Sequence, residues 1–147
     1  MYYFVCGLIA LKGRELMEND FCYKIKNYRE LAHYHMQLAY FMRNNHQFKT
    51  SLILCNLALT SIARALYIYE IRSNSSSQDT IFDDFLLLMH KAPNIDPEIA
   101  DLVNRIDLLC YSEDGVTIDQ KNTDKLIQKT ADTLTMVSSK LILPKLK

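Results

Sequence analysis

Residues Phe48–Arg72, FKTSLILCNLALTSIARALYIYEIR, decide the fold. Leu52, Ile53, Leu54, Cys55, Leu57, Ala58, Leu59, Ile62, Ala63, Ala65, Leu66, Tyr67 and Ile68 leave this stretch almost no polar side. A helix that is apolar nearly all round is buried against more than one neighbour. Both ends are polar, and Asn56, Thr60, Ser61 and Arg64 interrupt the middle, which is unlike a membrane span. The stretch therefore reads as the central helix of a bundle and as a candidate dimer seam.

Upstream, Asn44-Asn45-His46 is a polar break. Before it, Tyr28, Leu31, His35, Leu38 and Met42 recur in steps of three and four, predicting a helix over about 23–43 with those residues on its inner face. Downstream, Ser73 to Asp79 (SNSSSQD) reads as a hinge between antiparallel helices. Ile81 to His90 reads as a short helix with Phe82, Phe85, Leu86 and Met89 on one side, stopped by Pro93. Asp96-Pro97-Glu98 restarts a helix: an Asp cap, Pro at the first position and an acid in the first turn. Ile99, Leu102, Val103, Ile106 and Leu109 continue it, and Asp114-Gly115 is a turn. The last helix is expected from Asn122 or Thr123 to about Leu143, with Leu126, Ile127, Thr130, Leu134, Val137 and Leu141 as its stripe and Pro144 as its stop.

These elements predict an all-α fold, an up-and-down four-helix bundle with an additional short helix. The 147 residues suit one domain. Three Gly and three Pro are too few to punctuate a β-sandwich, and no Gly-rich phosphate loop is present, so no cofactor is expected. Net charge is zero, unlike a basic nucleic-acid coat protein. The charge is nevertheless polarised. Residues 1–77 hold nine Lys and Arg against five acids, and residues 78–147 hold eight against twelve. That polarity can orient a partner or a self-complementary dimer.

The chain opens with an apolar run, Met1 to Leu11, of roughly half the length that spans a bilayer. It lacks the basic start and cleavage site of a signal peptide. Lys12-Gly13-Arg14-Glu15 can be encoded by purines alone, as in a ribosome-binding site, and Met17 follows. The expectation is a translated leader over 1–16 and a single domain over 17–147; the alternative is a frayed apolar helix packing on the body. Cys6, Cys22, Cys55 and Cys110 have no paired spacing and read as reduced thiols in a cytoplasm.

Metal and nucleophile patterns are weak. His33 and His35 are two residues apart, about 200° around a helix, and cannot chelate together. His46 and His90 stand alone, so no metal site is expected. Tyr23, Tyr28, Tyr34, Tyr40, Tyr67 and Tyr69 fall at helical spacings, where packing is their ordinary role. The segment that holds attention is Asn104-Arg105-Ile106-Asp107-Leu108-Leu109-Cys110-Tyr111. On structural grounds alone, Asp101 pairs with Arg105 one turn on, and Cys110 is core.

Residues 23–143 resemble the HEPN superfamily of small α-helical domains. The resemblance is carried by Ala32–Ala39 (AHYHMQLA) with the turn at 44–48 (NNHQF), by the small-residue-rich Asn56–Tyr67 (NLALTSIARALY), and by the Arg105 helix. Active HEPN ribonucleases carry Arg, four to six residues, then His. The resemblance implies that the pair meets across a homodimer, with Arg steadying phosphate and His moving protons in metal-free cleavage through the RNA 2′-hydroxyl. Arg105 matches the Arg, but Cys110 stands where His is expected. A thiol of ordinary pKa about 8.5 is a poor proton shuttle, and apolar surroundings raise it further.

The resemblance thus implies a non-catalytic, cytoplasmic, bacterial binding domain for RNA, a nucleotide or a protein partner such as a small nucleotidyltransferase, with no membrane role. The family context also includes toxin–antitoxin pairs. Two alternatives stand beside it. One is a metal-independent endoribonuclease that recruits His90 or Tyr111. The other is a helical adaptor unrelated to HEPN. The candidate site residues are Arg105, Cys110 and Tyr111.

Overall fold

The computed structural model describes residues 2–74, 96–111 and 118–142, with side chains over 20–70, 96–111 and 118–142. Four helices and no strand occur among the described residues: α1 (Tyr2–Asn44), α2 (Phe48–Asn74), α3 (Pro97–Tyr111) and α4 (Gln120–Lys140). The expected helix at 81–90, its stop at Pro93, the turn at Asp114-Gly115 and the stop at Pro144 lie outside the described residues.

Helix α2 is the centre, as its composition predicts. It packs on α1, α3 and α4. Leu52, Cys55, Leu59, Ile62 and Ala63 along it are fully buried. Its Phe48–Glu70 stretch is long and apolar enough to cross a membrane, and most of it is buried inside the protein. It also runs one residue past the start of the expected hinge: Ser73 and Asn74 are helical, because a polar last turn still completes the hydrogen bonds of the turn before it.

Helix α1 corrects the sequence reading twice. Its backbone is helical from Tyr2, well before residue 23. Gly7 and Gly13 each weaken a helix by only about 1 kcal/mol against Ala, and no Pro breaks the run. Its buried face is also not the expected one. Cys22, Ile25, Ala32, Met36 and Ala39 are buried, whereas Leu31 is 40% exposed and Tyr28, His35, Leu38 and Met42 are half-buried. The larger side chains at the expected positions lie on a face rotated from the buried one. The small residues Cys22, Ala32 and Ala39 share the inner positions with Ile25 and Met36, and near Ala39 the helix backbone comes within reach of α2. The Ser51 hydroxyl on α2 donates to the Ala39 carbonyl of α1 at 2.7 Å, a contact only small side chains permit.

The turn between α1 and α2 falls at the expected polar break. His46 adopts a left-handed conformation (φ 60°). The His46 N–H donates to Arg43 O (3.0 Å) and the Gln47 N–H to Met42 O (2.8 Å). This is the Schellman arrangement, with His where Gly is commonest.

Helix α4 follows its predicted stripe: Leu126, Ile127, Thr130, Leu134, Val137 and Leu141 are buried, joined by Thr123. It starts two to three residues earlier than expected, because Asp119 caps it and accepts from the Asn122 N–H at 2.7 Å. Thr130 and Thr123 are buried without cost to their hydroxyls, which donate to the carbonyls of Leu126 and Asp119, each at 2.7 Å. Helix α4 is tied to α1 by Arg43, whose Nε and Nη2 donate to the two Asp124 carboxylate oxygens at 2.7 and 3.0 Å. The hydrogen bond from Arg43 holds the Asp124 carboxyl below its ordinary pKa. The pair's contribution is therefore complete above the unfolded carboxylate pKa and is lost as pH falls through the lower folded value.

The packing leaves one asymmetry. Helix α1 touches α2 and α4, and α3 touches α2 and α4, but α1 and α3 do not touch each other. Among the described residues, no helix therefore bridges α1 and α3 on the side of α2 away from α4.

Candidate functional site

Helix α3 carries the candidate residues, and its start follows from the sequence. The Asp96 side chain accepts the Glu98 N–H at 2.9 Å, and its carbonyl accepts the Ala100 N–H. One turn later the helix divides into three sides. Ile99, Leu102, Ile106 and Cys110 point into the core. Arg105 faces α4, and Asp107 faces α2.

On the α4 side lies a groove of about 360 Å³. Leu109 and Leu126 form its floor and Leu108 one edge; Arg105 from α3 and Asn122, Lys125 and Lys129 from α4 line it as well. Arg105 is exposed and held one turn from Asp101, Nε to Oδ2 3.2 Å, the pairing its spacing predicts. Lys125 and Lys129 lie one turn apart on α4 and are exposed, with Lys121 continuing their row. Three cations thus line an apolar trough, and the carboxylate of Asp101 is already paired with Arg105.

On the other side lies a second hollow of about 440 Å³, lined by Asn104, Asp107, Leu108 and Tyr111. Leu108, 70% exposed, is the ridge between the two. The Asn56 Nδ2 on α2 donates to Asp107 Oδ1 at 2.6 Å, joining α2 to α3, and the Asn56 Oδ1 is buried without a partner. Tyr111 is exposed at the end of the helix, an aromatic face open to a stacking ligand.

The structure separates the three candidates named from the sequence. Arg105 and Tyr111 are at the surface, and Cys110 is in the core. Burial raises the Cys110 thiol, Lys49 draws it down and Asp107 raises it again. Cys55, deeper still and beside Thr130, is pushed up to about 12, chiefly by burial. Both are free thiols that stay protonated near neutrality. The Cys110 position therefore holds no group suited to moving protons at neutral pH. His90, the alternative carrier, lies outside the described residues.

Sequence reasoning missed the partners of Arg105. Lys121, Lys125 and Lys129 were visible as a row at every fourth position, but nothing local says which helix that row faces. The polar interruptions of α2 named from the sequence also fall into a line along one side of the helix. Asn56, Thr60 and Arg64 recur every fourth residue, all half-buried. The Arg64 guanidinium lies 5.9 Å from the centre of the Tyr28 ring on α1, and its Nε is buried without a partner. Farther along α1, His35 Nδ1 is likewise buried and unpaired, and burial lowers its pKa, favouring the neutral ring.

Among the described residues no three His, Cys, Asp or Glu side chains gather where they could hold a metal ion. Among the described residues the fold is all-α, four packed helices. No protein-family model matches the chain, and neither a curated protein nor a solved structure matches it.

Proposed function

We propose that this chain is a non-catalytic, HEPN-like, up-and-down four-helix bundle that binds single-stranded RNA in a cytoplasm. The observation that carries the reading is the α3–α4 groove, where Arg105, Lys125 and Lys129 surround a leucine floor. Guanidinium and ammonium groups spaced along a trough suit successive phosphates, and Arg adds a planar fork for two oxygens of one phosphate. Tyr111 lies past the Leu108 ridge as a surface on which a base stacks. Binding rather than cleavage follows from Cys110, a protonated core thiol at the position where the HEPN ribonuclease pattern calls for His. A small nucleotidyltransferase remains the protein partner that the resemblance suggests, by analogy alone.

Fluorescence anisotropy with a labelled single-stranded RNA, titrated at several salt concentrations, tests the reading. Three phosphate contacts give a log–log salt slope of about −2, from roughly 0.7 per phosphate. Lys125→Glu combined with Lys129→Glu abolishes binding while leaving the helical circular dichroism unchanged. Salt-independent binding, or binding unchanged in that variant, contradicts the groove. A chain that binds no RNA, and whose captured partner holds on regardless of Arg105, is an adaptor of another kind.

A further inference from the structure

The hollow on the far side of the Leu108 ridge sets an aromatic ring beside an oriented carboxylate. Among the described residues it is lined by Asn104, Asp107, Leu108 and Tyr111. The helical period places Asn104, Asp107 and Tyr111 within about 60° of one another around α3, so they share one side of the helix. Tyr111 is 65% exposed. A helical aromatic leans over the turn before it, which here is the turn that carries Asp107. The Asp107 carboxylate is half-buried, and its direction is set from another helix: Oδ1 accepts from Asn56 Nδ2 at 2.6 Å. A carboxylate has about four lone-pair sites on its two oxygens, so both oxygens of Asp107 can accept further N–H groups. A stacking face with a fixed acceptor at its edge suits an unstacked base.

The two hollows divide the parts of a nucleotide between them. Leu108 lines both, so they adjoin across one side chain. The groove with Arg105, Lys125 and Lys129 attracts phosphate, and the charge of Asp107 repels phosphate from its neighbour.

We propose that the Asn104–Asp107–Tyr111 hollow is a base pocket that selects guanine, with Tyr111 stacked on the base and Asp107 accepting from its N1–H and 2-amino group. The proposal rests on the RNA reading above and names the base that the site takes. Guanine alone among the four bases has two adjacent donors on its Watson–Crick edge, and a carboxylate takes two parallel N–H groups as it does from a guanidinium. Adenine and cytosine set one amino donor beside a ring acceptor, and uracil sets one N–H between two carbonyls. Each of these turns a lone pair toward Asp107. The Asn104 amide, exposed on the same side, can donate to the guanine O6.

The test is fluorescence anisotropy of the full-length chain with an eight-nucleotide uridine RNA. Copies carry one guanosine, adenosine, cytidine or inosine near the middle. Guanosine is expected to bind about tenfold tighter than uridine, the discrimination of one bidentate pair. Adenosine and cytidine stay near uridine. Inosine, which keeps N1–H and lacks the 2-amino group, falls between, and that comparison needs no variant. Raising salt weakens every RNA but leaves the guanosine-to-uridine ratio unchanged, because the phosphates are equal in number. Asp107→Asn keeps an acceptor for Asn56 and turns an amide donor toward the base, which brings guanosine within about twofold of uridine. Equal binding of all the RNAs, with the salt dependence intact, overturns the guanine pocket and leaves the RNA reading standing. So does a preference for another base, inosine equal to guanosine, or a guanosine preference that survives Asp107→Asn. No binding of any of these RNAs overturns both.

Discussion

Helices α2 and α3 lie side by side and are joined by the Asn56–Asp107 hydrogen bond, yet they are built on opposite principles. Helix α2 buries residues around most of its circumference: Ser51, Cys55 and Ala58 beside Leu59, Ala63 and Ile68. Helix α3 buries one stripe, Ile99, Leu102, Ile106 and Cys110, and leaves Asn104, Arg105, Leu108 and Tyr111 outside. Apolar burial contributes about 25 cal/mol per Å², so α2 carries the stability of the domain. An element with one anchored stripe is free to vary on its other sides, and there the chain places its charges. The two roles part cleanly enough that substitutions on each helix can be read by different instruments.

The largest expected effect is on α2. Leu59→Ala leaves a cavity in a fully buried site and costs about 2–5 kcal/mol in chemical denaturation. A loss of less than about 1 kcal/mol, nearer the size of a surface change, would mean that α2 is not the centre. Next comes the start of α4. Asp119→Ala removes the cap on the Asn122 N–H and costs about 1 kcal/mol by the same measurement, and Asp119→Asn recovers most of it. A gain is expected at the α1–α2 turn. His46→Gly relieves the left-handed strain and raises stability by up to about 1 kcal/mol, offset in part by the greater freedom of an unfolded glycine. The smallest effect is on α3. Arg105→Ala removes an exposed ion pair with Asp101 and changes stability by less than about 0.5 kcal/mol, while RNA anisotropy shows binding weakened. Stability lost along with binding there would break the division between the two helices.

The parts of the fold legible in the sequence are those set by local chemistry. The Asp96-Pro97-Glu98 start of α3 is a matter of capping alone. The α4 stripe was legible because its inner positions hold large apolar residues and Thr at a regular period. Helix α1 was not legible in the same way. Ala32 and Ala39 are inward because α2 comes close, and Leu31 stays outward for the same reason; that choice is made by the neighbouring helix and leaves no mark on the period. The site divides likewise. Arg105 and its Asp101 pairing are readable within one helix, and Cys110 as a core residue is too. The approach of Lys125 and Lys129 to Arg105 belongs to the α3–α4 packing. The Asn56–Asp107 hydrogen bond likewise depends on how α2 meets α3, and no single segment encodes that.

On the function proposed above, α3 binds RNA without cutting it. A metal-free incubation of purified protein with a labelled single-stranded RNA, resolved on a gel, tests this most directly, with wild type, Arg105→Ala and Cys110→His run together. The account predicts intact RNA with the wild type and with Arg105→Ala. Cleavage that appears only with Cys110→His would agree with a HEPN-like site lacking its proton carrier. Cleavage by the wild type that disappears in Arg105→Ala would contradict the account, because it would show that α3 supports catalysis with a buried thiol at position 110.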